Sequence, residues 1–190
     1  MALRRGFKAE ANDLAREVRG ELGVSRTAPL DPWLLAKHLG ITVVPMSDLS
    51  AAAGHSVWYF AQVEMSSFSA VTVFRGAHRM IVHNDSHVAG RQTSDVSHEL
   101  AHALLLHPPT PAIDDSGCRE WNPVVEEEAE WLNGGLLVPE EAAMSIVRRQ
   151  LTVPEAAATY GVTPKLMSFR INITGARTRV SRGEALRGGR

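Results

Sequence analysis

The chain has 190 residues and only one cysteine, Cys118. That scarcity excludes a disulfide framework and a zinc site built on several thiolates. Long apolar runs are also missing, since nothing approaches the roughly 18 consecutive apolar residues that a membrane helix needs. Arg4, Arg5 and Lys8 are followed by the charged, amphipathic stretch Ala9–Val18 rather than by the apolar core of an export signal, which predicts a cytoplasmic protein. No Gly-rich phosphate loop follows a strand pattern and no Gly-x-Ser-x-Gly elbow occurs, which argues against the usual nucleotide enzymes and α/β hydrolases. Net charge is close to zero as well: 20 Lys and Arg against 21 Asp and Glu leave −1. Bulk charge therefore argues neither for nor against a nucleic-acid partner.

What is present fits a soluble chain with a packed core: 44% hydrophobic and 22% charged residues at a length sufficient for one domain. Charge is unevenly distributed. From Asp114 to Glu141 there are nine acids and one base, Arg119; from Lys165 onward there are seven bases and one acid, Glu184. The Arg- and Gly-rich stretch from Gly175 has few apolar anchors and is expected to fray as a solubilising tail, with weak contact to an acidic partner or nucleic acid as the alternative.

Apolar positions at helical spacing predict a helix from Phe7 to Leu22, stopped by Gly23, and a second capped by Asp31, with Pro32 at its first position and Gly40 beyond its end. Between Ile41 and Val82 the pattern turns to short β-rich runs: Ile41–Val44, Ser56–Phe60, Ala70–Phe74 and Arg79–His83. Helices return near Ser94 and continue to the end. Three or four strands bracketed by helices, without regular βαβ alternation, predict an α+β fold. The expected organisation is one domain over 1–174, with a helical part at 1–40, a core at 41–150 and a helix-turn-helix-like segment at 151–174, followed by the tail at 175–190.

The segment Ser94–Pro108 contains His98-Glu99-Leu100-Ala101-His102, an H-E-x-x-H pattern. On a helix, residues four apart lie one turn above each other, so both imidazoles can grip one Zn²⁺ while Glu99 sits beside them to deprotonate a water. Thr93 or Ser94 is expected to cap this helix, and Pro108 and Pro109 to end it. A catalytic zinc commonly has three protein ligands, and without a second cysteine the third must be a carboxylate or another histidine. The stretch from Val124 to Leu132 offers carboxylates on a helix pattern: Glu126 and Glu130 share a face with Ala129 and Asn133, whereas Glu128 points elsewhere with Leu132. Glu126 or Glu128 is then the ligand candidate, Glu126 being favoured, with Glu130 available to accept from a ligating histidine.

These residues resemble the ImmA/IrrE metallopeptidases, cytoplasmic bacterial zinc proteases of the gluzincin type. The resemblance spans nearly the whole chain, through Arg5–Ala11, Pro29–Ile41, Ile81–His87, Gly90–Gln92 and His98–His102. Its second strong element is Glu126–Pro139, similar to the family's E-x-E-A-N-x-F-A-x-x-L-L-M-P helix, and carrying it over makes Glu126 the third ligand. The chain departs from that helix at Glu130, where the family has Asn or Asp, and at Leu132-Asn133, where it has Phe-Ala. Gly134 and Gly135 follow; mid-helix glycines cost ~1 kcal/mol each relative to alanine, so either the backbone packs closely there or the helix breaks. The resemblance implies a zinc endopeptidase acting on a protein substrate. The best-known substrates of the family are helix-turn-helix repressors in mobile-element or stress-response switches.

The remaining candidates have structural as well as functional readings. His87 and Arg91 could aid a transition state but suit structural roles better, and His38, His55, His78 and His107 read as surface or core fillers. Cys118 reads as an incidental thiol or, if exposed, a redox sensor. Thr152–Arg170 resembles a helix-turn-helix turning at Gly161, with Lys165, Ser168 and Arg170 as its few groove readers. Two alternatives to a protease follow: a DNA-binding regulator with a structural or sensory metal, and a module that binds a repressor without cutting it.

Overall fold

The computed structural model describes residues 3–76, 78–108 and 122–188. It is an α+β fold, with nine α-helices and one three-stranded sheet among the described residues. Cys118 lies outside them, and so does Pro109.

Helix α1 (Phe7–Glu21) buries Phe7, Ala11, Ala15 and Val18, the helical spacing seen in the sequence. Helix α2 (Pro32–His38) starts where the Asp31 carboxylate accepts from the Trp33 N–H at 2.9 Å, and Gly40 turns the chain at φ +67° into strand β1 (Thr42–Pro45). Strand β3 (His78–His83) is central: β1 runs parallel to it with Val43 opposite Ile81, and β2 (Ala70–Arg75) runs antiparallel with Thr72 opposite Ile81. This order leaves β2 at an edge of the sheet.

The run Ser56–Phe60, expected as a strand, lies instead within helix α3 (Ser50–Gln62), which has a kink at Ala53 (φ −142°, ψ 39°). Aromatic and β-branched residues favour strands through packing on a half-buried pleated surface. Here no described strand pairs with the segment, the alanines at 51–53 are strong helix formers, and none of the residues of α3 is buried. The described sheet thus has three strands, the lower of the two numbers expected.

Helix α4 (Ala89–Leu104) carries the H-E-x-x-H motif and starts earlier than expected, with Val88 at its cap, so Thr93 and Ser94 lie inside it. Its first turn abuts the C-terminal helices: a Cβ on Gly90 would sit 2.8 Å from the Val162 carbonyl carbon, so only glycine permits this approach. The helix ends at Leu104, before Pro108, and Leu106 beyond its cap takes φ +54°.

Helix α5 (Pro123–Leu137) is unbroken through Gly134 and Gly135 because the backbone packs closely there. A Cβ on Gly134 would sit 2.7 Å from Cδ of Arg170, and one on Gly135 would touch Ala15. Leu132 and Leu136 join the core formed with α1, α2, α4 and β3. Leu137 and Val138 lead into a second core shared with α6 (Glu140–Arg148), α7 (Val153–Tyr160) and α8 (Pro164–Ile173). Two fully buried arginines tie the end of α5 to its surroundings: Arg19 donates to the Leu136 carbonyl at 2.5 Å, and Arg170 to the Val138 carbonyl at 2.9 Å. Cationic groups on the free carbonyls of a helix C-terminus satisfy both the hydrogen bonds and the dipole.

Helices α7 and α8 have the expected helix-turn-helix form, with a Thr152–Glu155 capping box and Gly161 at φ +62°. The stretch expected to fray forms helix α9 (Ala176–Gly188), which buries Ala176 and Val180 and places Arg179 2.8 Å from Glu140. Two apolar anchors four residues apart and one ion pair suffice to dock it.

Candidate metal centre

Helix α4 projects His98, Glu99 and His102 toward the first turns of α5. The Asn122 side chain accepts from the Val124 and Val125 N–H groups at 3.1 and 3.4 Å, and Pro123 takes the first helical position. This start puts Glu126 in the first turn of α5, where a carboxylate suits the helix dipole.

Three side chains from the two helices converge. His98 Nε2 lies 3.2 Å from Glu126 Oε2, His102 Nε2 lies 3.1 Å from His98 Nε2, and His102 Nε2 lies 3.6 Å from the same Glu126 oxygen. Donors at zinc distances on three corners of a tetrahedron stand about 3.3 Å apart, so this triangle fits a tetrahedral ion. Among the described residues, these three form the group able to hold a metal. Their side chains are 20–24% exposed, which leaves room for a further ligand from solvent.

The carboxylates around His98 decide its charge in the metal-free chain. Burial opposes protonation, but Glu126, Glu130 and Glu99 outweigh it and push the imidazole up to about 9. The two histidines in turn hold Glu126 well below the usual carboxylate range, and His98 draws Glu130 down as well. A site that attracts protons this strongly between two imidazoles and a carboxylate is an attractive seat for a cation.

Glu130 Oε2 stands 3.5 Å from His98 Nδ1, on the side away from Glu126, in keeping with the shared face read from the sequence. Glu128 faces elsewhere: its Oε2 lies 3.4 Å from His107 Nε2, and its Oε1 accepts from Arg4 Nε at 3.1 Å. Glu99 lines a cleft with Thr72, Phe74, Arg79, His102 and Glu126. One of its oxygens accepts from the Thr72 hydroxyl at 2.5 Å. Thr72 gave no sign in the sequence, because a threonine in a β-rich run is ordinary; only the strand pairing aims it at α4.

His87 is occupied on both nitrogens, 3.1 Å from Asp95 Oδ2 and 2.6 Å from the Met65 carbonyl, and so braces the segment after α3. Arg91 donates to Ser69 at 2.9 Å. His38 pairs with Glu21, and His55 stacks on Trp58, both as surface groups. His107 is buried, as a core position would be, with its side chain 8% exposed, and its ring also lies 3.0 Å from that of His102. Of the expected groove readers, Lys165 is exposed, but Arg170 is buried against α5 and cannot reach a nucleic acid. No described helix is long and apolar enough to cross a membrane.

No curated protein matches the chain. The family model described as the IrrE N-terminal-like domain, Peptidase M78, matches residues 36–172. That span runs from α2 into α8 and contains both helices of the candidate metal site and the cleft strand β2; the chain belongs to this family, whose domain is of the zinc metallopeptidase type.

Proposed function

We propose that the protein is a zinc-dependent endopeptidase in which His98, His102 and Glu126 hold the ion and Glu99 is the general base. The observation that carries this reading is the triangle of 3.1, 3.2 and 3.6 Å between three donor atoms beside a carboxylate that takes no part in it. Two imidazoles and one carboxylate suit zinc, and three ligands leave a coordination position open. When bound, zinc supplies Lewis-acid polarisation of a carbonyl and lowers the pKa of a water toward ~7.

The chain's own residues perform the rest. Thr72 holds one oxygen of Glu99 and leaves the other free to take a proton from the attacking water and return it to the departing amide nitrogen. The edge of β2, unpaired among the described residues and with Phe74 exposed, offers main-chain groups along which an extended peptide can lie beside that carboxylate. A folded protein would have to present an extended segment there, which favours internal cleavage of a loop or linker. The family resemblance extends the proposal to a cytoplasmic enzyme acting on helix-turn-helix repressors. The burial of Arg170 counsels against DNA binding by α7 and α8.

Zinc-loaded protein incubated with helix-turn-helix repressors is expected to yield discrete fragments by mass spectrometry. Glu99→Gln should retain zinc and lose about 10²- to 10⁴-fold in rate. Repressor binding by wild type without cleavage, at an affinity unchanged in Glu99→Gln, would favour the non-cleaving module instead.

A further inference from the structure

We propose that His107 is a positioning residue that fixes the tautomer of His102 for metal binding, and that Glu128 and Arg4 hold His107 in that role. The inference rests on the metal site proposed above and concerns residues outside the ligand set.

The geometry begins at the end of α4. Leu106 is 78% exposed and adopts φ +54°, a left-handed conformation that a side chain bearing a Cβ takes only at a cost and that helix ends usually assign to glycine. The turn is closed by the His107 N–H donating to the His102 carbonyl at 3.0 Å and the Leu106 N–H to the Ala103 carbonyl at 3.2 Å. It folds His107 back along the helix, so that its Nδ1 lies 3.0 Å from Nδ1 of His102. On its far side, His107 Nε2 lies 3.4 Å from Glu128 Oε2. Glu128 is itself fixed by Arg4 Nε at 3.1 Å, and Arg4 is held by Glu10 at 2.7 Å.

Proton placement along this chain has one consistent direction. Glu128, an ionised carboxylate paired with Arg4, can only accept, so it selects the form of His107 with hydrogen on Nε2. Nδ1 of His107 is then a bare acceptor and takes a hydrogen bond from Nδ1–H of His102. That leaves Nε2 of His102, the atom facing His98 and Glu126, with its lone pair free for a metal. The opposite order would put hydrogen on Nε2 of His102 and block the ligand atom. A ligating histidine needs such a partner on its other nitrogen. Glu130 serves His98 in this way, and His107 serves His102.

The test combines a measurement on the metal-free chain with one on metal binding. Long-range ¹H–¹⁵N imidazole spectra of the metal-free full chain should show His102 as the Nδ1–H tautomer and His107 as the Nε2–H tautomer. His107→Phe, which cannot accept, should scramble the His102 tautomer and weaken zinc binding about 10- to 100-fold in a chelator competition. His107→Asn places an amide oxygen near the former Nδ1 and should restore most of both; this rescue is not expected if the ring only fills space. Thermal unfolding of each metal-free variant identifies those that remain folded. A folded His107→Phe with wild-type tautomer and zinc affinity within about twofold of wild type would overturn the inference. If wild-type protein binds no zinc, the metal reading falls, and the tautomer spectra alone decide the role of His107.

Discussion

Two helix pairs carry a functional signature in the sequence, α4 with α5 and α7 with α8, and the structure treats their charged groups in opposite ways. On α4 and α5, side chains converge on one another: two imidazole nitrogens and a carboxylate oxygen meet at 3.1–3.6 Å. On α8, the most promising charge, Arg170, turns away from solvent to meet the Val138 carbonyl at the end of α5. Ionisable groups that face one another retain unmet bonding capacity, which an ion or a substrate can use. Arg170 is committed to the scaffold by burial: its Nε donates to a main-chain carbonyl, and its two terminal nitrogens, buried without a partner among the described residues, are shut off from any ligand. The two regions are nevertheless joined, since Gly134 makes room for Arg170 on the same helix that carries Glu126.

The contrast can be broken by removing the scaffold charge. Arg170→Ala should lower the free energy of unfolding by about 3 kcal/mol, read from denaturant midpoints, because it opens a cavity and leaves a buried carbonyl short of its donor. An unchanged midpoint would return Arg170 to the surface and revive the groove-reading possibility. Acid–base behaviour sharpens the other side. In metal-free protein, the folded-state pKa of His98 is raised to about 9, so its stabilising contribution is full below its unfolded value near 6.5 and is lost as pH rises through about 9. The depressed pKa of Glu126 contributes above the normal carboxylate range, and that contribution is lost as pH falls through its folded value. Thermal unfolding of metal-free protein should therefore weaken from pH 6.5 to 9 by about 2 kcal/mol, a decline that His98→Ala abolishes.

Gly134→Ala is expected to destabilise by about 1 kcal/mol despite alanine's better helix propensity, since its Cβ meets the pinned Arg170 side chain. In an Arg170→Ala background the same change should be harmless or stabilising, and a double-mutant cycle measures that coupling. The smallest expected effect is that of Thr72→Val, which frees one oxygen of Glu99. It should lower kcat by about three- to tenfold with KM unchanged, roughly 1 kcal/mol in the barrier. An unaltered kcat would remove Thr72 from the catalytic arrangement.

The helices of the candidate site were legible because their signal is local: four-residue spacing places His98 above His102 on α4 and Glu126 on one face with Glu130 on α5. The same spacing separates Glu126 from Glu128, although only the structure shows where Glu128 goes. Ser56–Phe60 misled because its composition favours a strand, whereas whether a neighbouring strand exists is a tertiary matter. His107 was hidden by Leu106, since a leucine gives no hint of a left-handed turn that glycine would have announced. For Arg170, the pair Gly134-Gly135 marked a close approach without naming the side chain that fills it.

Metal content tests the central claim most directly. Protein purified without a His tag and analysed by plasma mass spectrometry should carry about one zinc per chain. His98→Ala and Glu126→Ala should lose or weaken it, and Glu128→Ala should keep the stoichiometry. Wild-type protein that holds no metal and takes none from added Zn²⁺, or His98→Ala and Glu126→Ala variants that bind it as tightly as wild type, would contradict the account.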